Sequence, residues 1–173
     1  MSELDEAWAQ ALAEAERRAR AQGRGDIAEY IALRASNDLV RATGIEWLLK
    51  TLTGMAGEAN RRGASIRLEK HEGHRFSVGS ATMVGTRLVF RAGVRALTIE
   101  AGWPREPRDG FVRGGGLACG RIGHFGKRPP DEELLLVRST SGVPEWHIID
   151  KSGARTPLLE ARLRQHLSAC IGQ

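Results

Sequence analysis

The spacing of apolar residues changes at Gly63, and this change constrains the fold more than any other feature of the sequence. Before Gly63, apolar residues recur every three to four positions, which is typical of an α-helix with one buried face. After Gly63, Ile66 and Leu68 alternate with Arg67 and Glu69, the period of a half-buried strand. The sequence therefore predicts a helical part to about residue 62, followed by a sheet.

The helical part is predicted to contain three helices. The first spans residues 3–22, and Gly23 and Gly25 end it. Asp26 caps a short second helix, which residues 36–38 interrupt because Ser, Asn and Asp are weak helix formers. Thr43 and Glu46 have the spacing of a capping box and open a third helix that runs to about Arg62.

The remaining segments predict a meander and a final helix. Turns are expected at residues 72–73, 85–86 and 92–93, and further strands at 133–138 and 145–150. Such short connections favour antiparallel neighbours. Thr156 and Pro157 are expected to begin the last helix.

Together these elements predict an α+β fold: N-terminal helices, an antiparallel β-meander of about five to seven strands, and a C-terminal helix packed on one face of the sheet. We expect one domain over residues 1–173, with a helical part at about 1–62 and the sheet plus C-terminal helix at about 63–173. A separate helical subdomain is the alternative.

The charge of the chain favours an anionic partner. The formal net charge is +5 and the isoelectric point is about 9.9. Only four of the 26 cations are lysine, however, and arginine, alanine and glycine are abundant, as in proteins from GC-rich, bacterial-like genomes. Genome composition is therefore a competing explanation of the basic balance.

The sequence also indicates the cellular compartment of the protein. No apolar run approaches the roughly 18 residues that a membrane-spanning helix needs, so we expect no membrane partner. The first residues lack the basic and apolar regions of a secretory signal. Two cysteines, Cys119 and Cys170, do not make a disulfide scaffold. These features predict a reduced, cytoplasmic protein.

Motifs for catalysis and for metal or cofactor binding are incomplete. His71 and His74 are three residues apart, whereas the zinc-protease helix needs four. The patterns for a phosphate-binding loop and for a dinucleotide fold also fail. Cys119 with His124, His147 or His166 is a candidate nucleophile and base, without diagnostic spacing. We therefore predict no catalytic residue, no metal site and no cofactor, and favour a protein that is not an enzyme.

The segment 102–128 is the strongest candidate for a binding surface. It holds eight of the 21 glycines, six cations, two anions and three aromatic residues. Glycines allow close approach of the backbone, arginine matches phosphate geometry, and aromatic rings stack on bases. The predicted ligand-binding or nucleic-acid-binding residues are Trp103, Arg105, Arg108, Phe111, Arg113, Arg121, His124, Lys127 and Arg128. The alternative is a set of glycine-bulged strands that continue the sheet.

Three functions remain open from sequence. The first is a non-catalytic binding or regulatory module for an anionic partner, with nucleic acid as the leading choice, bound through segment 102–128. The second is a protein-interaction or assembly subunit, including a homo-oligomer, that docks through its N-terminal helix, whose apolar stripe is mostly alanine plus Trp8. The third is a small enzyme or small-molecule-binding protein that uses His71, His74, His124 or Glu100.

Overall fold

The computed structural model describes residues 3–126 and 129–173, and it has the α+β architecture that the sequence predicts. Two helices, α1 (Glu3–Ala21) and α2 (Gly25–Arg61), precede the sheet, and α3 (Glu160–Ile171) follows it. Seven strands pair in sequence order as one antiparallel meander. They are β1 (Arg67–Val78), β2 (Ala81–Ala92), β3 (Arg95–Trp103), β4 (Ala118–Phe125), β5 (Glu132–Arg138), β6 (Pro144–Ile149) and β7 (Arg155–Pro157).

The predicted interruption of the second helix is wrong: α2 is one continuous helix of 37 residues, about 55 Å long. The weak helix formers at 36–38 gain partners that a sequence cannot show. Arg138, from the far end of β5, donates to Ser36 Oγ at 3.0 Å and to Asn37 Oδ1 at 2.9 Å. Asp38 accepts a hydrogen bond from Arg41. These contacts offset the poor intrinsic propensity of the segment.

Two predicted turns are also wrong, because the strands continue through them. Gly73 lies in a bulge of β1, between Glu72 and His74, with φ of +65°. Gly85 lies inside β2, opposite Gly102 of β3. A Cβ atom at Gly85 would lie 1.9 Å from the carbonyl oxygen of Ala101, so glycine permits a close approach of the two backbones.

The last helix begins later than predicted. Residues 155–157 form the short edge strand β7, in which Thr156 pairs with Ile148 and Pro157 with His147. Proline is tolerated at such an edge because its missing N–H faces away from the ladder. Helix α3 then starts at Glu160, without a side-chain cap.

The main core lies between the sheet and helices α2 and α3. Alternate residues of the central strands, such as Leu88, Leu97, Ile99 and Ile122, are fully buried there. Trp146 on β6 donates its indole N–H to the carbonyl oxygen of Gly44 in α2 at 2.8 Å, which ties the helix to the sheet. Helix α1 packs along α2 as a helical hairpin.

The opposite face of the sheet is concave. Arg121 on β4 donates to the carbonyl oxygen of Ser77 on β1 at 2.6 Å, although two strands lie between them. In a flat sheet these strands would be about 14 Å apart, beyond the reach of one side chain. A smaller core on this face includes Phe76, Met83 and Leu135.

Candidate functional site

Residues 104–117 form the loop that joins β3 to β4, and this loop wraps around the end of the sheet. Arg105 Nε donates to the carbonyl oxygen of Val84 on β2 at 3.3 Å. Gly110 then lies against Ala81 at the start of β2. Arg155 on β7 donates to the carbonyl oxygen of Gly114. The loop therefore runs from the helix-covered face to the concave face. We call it the wrapping loop.

Asp109 fixes the first half of the wrapping loop. Its buried carboxylate accepts hydrogen bonds from the backbone N–H groups of Arg105 and Glu106 at 3.1 Å and from the Arg75 guanidinium at 2.7 Å. Burial acts to raise the pKa of Asp109, but these donors outweigh it and lower the pKa. The carboxylate is thus a charged anchor that holds the loop against β1.

Trp103 and Arg105 lie at the helix-covered side of the wrapping loop. The Arg105 guanidinium carbon is 3.5 Å from the centre of the Trp103 ring, a cation–π contact. Arg41 approaches the same ring at 5.8 Å. Trp103 and Arg105 line a pocket of about 300 Å³. Lys50 and Lys70, two cations from outside the predicted segment, line the same pocket. One face of the Trp103 ring is therefore covered by the Arg105 guanidinium.

Phe111 and Arg113 lie at the concave side, where they line a groove of about 510 Å³. Phe111 is 85% exposed. The apolar lining includes Met83, Leu135 and Ile149, and the cations are Arg113, Lys151 and Arg155. Most of the polar side chains that line this groove come from the wrapping loop and from the turn between β6 and β7. We call this groove of about 510 Å³ the basic groove.

The other predicted cations are placed apart from the basic groove. Arg108 is exposed and pairs with Glu106 on the outside of the wrapping loop. Arg121 lies on the concave face, where Glu100 pairs with both Arg121 at 3.4 Å and His74 at 2.7 Å. Lys127 and Arg128 lie outside the described residues.

His124 is part of the core, on the helix-covered side of β4. It is 7% exposed, and its Nε2 lies 2.8 Å from Nδ1 of His166 on α3. It does not meet Phe111 or Arg113, which line the groove on the opposite face. The irregular segment predicted for 102–128 is also shorter than expected, because residues 118–125 form strand β4.

The nine predicted binding residues are therefore not all on one surface. Trp103 and Arg105 share one pocket, Phe111 and Arg113 share the basic groove, and the wrapping loop joins the two with Arg108 between them. Four further cations line these two pockets but are isolated in sequence and are not predicted from it: Lys50, Lys70, Lys151 and Arg155. No local pattern marks them, because only the packing of α2 and the curvature of the sheet bring them to the loop.

The structure does not bring the candidate catalytic residues into an arrangement that favours catalysis. Burial, with the charge of Glu133 added, raises the pKa of the Cys119 thiol to about 11, so the thiol stays protonated near neutral pH. The ring of His74 is engaged by Glu100. Among residues 3–126 and 129–173, no group of three His, Cys, Asp or Glu side chains is arranged to hold a metal ion.

None of the described helices combines the length and apolar character that crossing a membrane requires. Comparisons with protein-family models, curated proteins and solved structures find no match to this chain.

Proposed function

We propose that this protein is a non-catalytic binding module for an anionic partner, and that the partner is single-stranded nucleic acid bound along the wrapping loop. The observation that carries the proposal is the basic groove: three cations, Arg113, Lys151 and Arg155, line it beside the highly exposed ring of Phe111. Cations bind phosphates and an exposed aromatic ring stacks on a base, which together is the chemistry of single-strand recognition.

The second pocket extends this surface. Trp103, Arg105, Lys50 and Lys70 repeat the combination of an aromatic ring and cations at the other end of the wrapping loop. Phe111 follows Trp103 by eight positions, so their Cα atoms are at most about 28 Å apart. A short single strand is long enough to contact both.

Single strands are favoured over duplexes because of how the cations are displayed. They lie on a loop, a turn and the walls of two pockets, not along a helix that fits a major groove. Bases that are unstacked can enter such pockets, whereas bases in a duplex cannot.

The test is fluorescence anisotropy with a labelled single-stranded oligonucleotide at about 50 and 200 mM salt. If three phosphates are contacted, affinity should fall roughly 20-fold over this fourfold rise in salt. The triple variant R113Q/K151Q/R155Q should bind more weakly and show a flatter salt dependence.

A matched control distinguishes the effect of the basic groove from the effect of overall net charge. The variant R17Q/R24Q/R34Q removes three exposed cations from the helical hairpin and changes the net charge equally. It should bind like the unaltered protein. Equal loss in both variants, or no binding at 50 mM salt, would overturn the proposal.

A second candidate function is self-assembly or protein docking through the helical hairpin of α1 and α2. It is favoured by exposed apolar residues on both helices: Trp8 is 55% exposed, Tyr30 63% and Leu33 58%. Sedimentation velocity over a hundredfold range of concentration tests it. A dimer that the variant Y30S/L33S abolishes would support this function, and a monomer at every concentration would exclude self-assembly.

We also propose a cytoplasmic location. Its support is that Cys119 and Cys170 are both free and buried, as in proteins of a reducing compartment.

A further inference from the structure

The basic groove contains one carboxylate that the cations do not explain. Glu133 on β5 lines the groove together with Phe111, Arg113, Lys151 and Arg155. Within the part of the chain that the structure describes, its side chain forms no ion pair or hydrogen bond. A carboxylate in a site for anions weakens phosphate binding unless it contacts another part of the ligand.

Neighbouring side chains make no hydrogen bond or ion pair with the exposed carboxylate of Glu133 among the described residues. Arg121 lies directly opposite on β4, but its guanidinium is directed to Glu100 and to the carbonyl oxygen of Ser77. Ile149, opposite on β6, is apolar. Asp150, the other acid of the groove, accepts hydrogen bonds from Ser152 and Ala154 in its own turn. Glu133 is thus the acid that remains available to a ligand.

The chemistry of a carboxylate determines which base it accepts. A carboxylate presents two acceptor oxygens and no donor. On its Watson–Crick edge, guanine presents two adjacent donors, N1–H and the N2 amine, which match the two oxygens. Adenine and cytosine each present an acceptor beside their amine, and thymine presents two carbonyl oxygens around one N–H. Of the four DNA bases, only guanine can donate two hydrogen bonds from this edge to one carboxylate without repulsion.

The groove also has the size and lining for a base. Its volume of about 510 Å³ lies within the range of small-molecule pockets. Phe111 supplies a ring for stacking, and the three cations supply contacts for the flanking phosphates. Base, phosphate and carboxylate contacts therefore fit one ligand.

We infer that the basic groove binds a single unpaired guanine, with Glu133 accepting its N1–H and N2 amine and Phe111 stacking on its ring. This inference rests on the proposed function, because it names the base that the same surface selects. Glu133 acts here as a residue that determines specificity and has no part in phosphate binding.

The experiment compares labelled thymidine octamers that carry one central guanine, inosine, adenine or no substitution. Inosine keeps N1–H and lacks the N2 amine, so the difference between guanine and inosine isolates the hydrogen bond from the N2 amine. We expect guanine to bind about five- to tenfold more tightly than adenine or thymine, with inosine between them. In E133Q, which keeps the size of the side chain, the guanine preference should disappear while the all-thymidine octamer binds as well as before or better.

The outcomes separate the two proposals. Absence of binding by all four octamers at low salt would overturn the proposed function and this inference together. Binding of all four with equal affinity, or a guanine preference that persists in E133Q, would overturn the inference alone. Competition by GMP and AMP shows the source of the base: GMP that competes as well as the octamer identifies a free guanine nucleotide as the ligand. Since Glu133 is exposed, E133Q should unfold at the same temperature as the unaltered protein.

Discussion

Nε2 of His124 lies 2.8 Å from Nδ1 of His166, and the two imidazole rings are stacked in the core between β4 and α3. The other ring nitrogen of His166 lies 2.8 Å from Glu132, which Arg162 also contacts. A hydrogen bond between two imidazoles holds a single proton. If both rings are fully protonated, two N–H groups face each other and the bond is lost.

This arrangement makes the stability of the protein depend on pH. Burial, followed by the proximity of His166, lowers the pKa of His124, although Asp131 and Glu132 partly oppose the shift. A histidine whose pKa is lower in the folded state binds more protons when unfolded, at pH values between the folded and the unfolded pKa. The free energy of unfolding should therefore fall as pH drops below about 6.5, the unfolded value.

Urea denaturation from pH 7.5 to 5.5 measures this dependence. The variant H124Q keeps a hydrogen-bonding side chain that does not titrate, so its stability should change less over that interval. H71Q, which alters an exposed histidine on β1, is the control and should behave like the unaltered protein. A pH dependence that H124Q leaves unchanged would contradict this role for the histidine pair.

Cys119 should react slowly with thiol reagents. Because burial and Glu133 raise its pKa to about 11, the fraction of thiolate at pH 8 is roughly 100-fold below that of an ordinary cysteine. Burial also raises the pKa of Cys170. Alkylation by iodoacetamide should be slow in the folded protein and fast in urea for both residues, and C170S assigns the remaining signal to Cys119. Rapid labelling of folded C170S would show that Cys119 is activated.

Two glycines of α2 should respond oppositely to alanine. A Cβ at Gly54 has open space around it, so G54A should stabilise the protein by about 0.5–1 kcal/mol through helix propensity. A Cβ at Gly44 would lie 2.6 Å from Cδ1 of the fully buried Leu136. The forced repacking should outweigh the gain in propensity, so G44A should lose about 1 kcal/mol net. Thermal unfolding distinguishes these results, and a G44A variant as stable as G54A would show that Leu136 moves aside freely.

Removing the carboxylate of Asp109 should loosen the wrapping loop. D109A deprives the N–H groups of Arg105 and Glu106, and the guanidinium of Arg75, of their acceptor. Amide exchange in residues 104–117 should become several-fold faster, and oligonucleotide affinity should fall with it. R108A is the control, because Arg108 contacts only the side chain of Glu106 among the described ion pairs. Unchanged exchange in D109A would mean that other contacts hold the loop.

The sequence predicts helices and strands well where a regular spacing of apolar residues marks them. It fails where contacts with residues far away in the sequence determine the local structure. The helix at 3–22 and the strands at 133–138 and 145–150 differ from α1, β5 and β6 by no more than a residue at each end. The continuity of α2 depends on Arg138, which is about a hundred residues away from Ser36 and Asn37. Strand β7 forms because residues 155–157 pair with β6, and three residues are too few to predict this pairing from sequence.

The sequence predicts only part of the candidate site, because some of its residues come together only in the folded structure. The sequence indicates Phe111 and Arg113 because glycine, arginine and aromatic residues are concentrated in one segment. It does not indicate Lys151 and Arg155, because they are near that segment only in space. Sequence proximity alone also selects His124, yet strand alternation places it on the opposite face of the sheet from the basic groove.

By itself the sequence determines the α+β class, the succession of N-terminal helices, antiparallel sheet and C-terminal helix, and the single segment richest in glycine, arginine and aromatic residues, because these follow from local spacing and composition. The tertiary structure alone decides which of those residues meet. The curl of the sheet carries the wrapping loop from one face to the other, separates Trp103 from Phe111, and brings Arg155 and Glu133 to the groove. Alternation along β4 then sends Arg121 to the concave face and His124 into the core, since neighbouring side chains of a strand point to opposite sides.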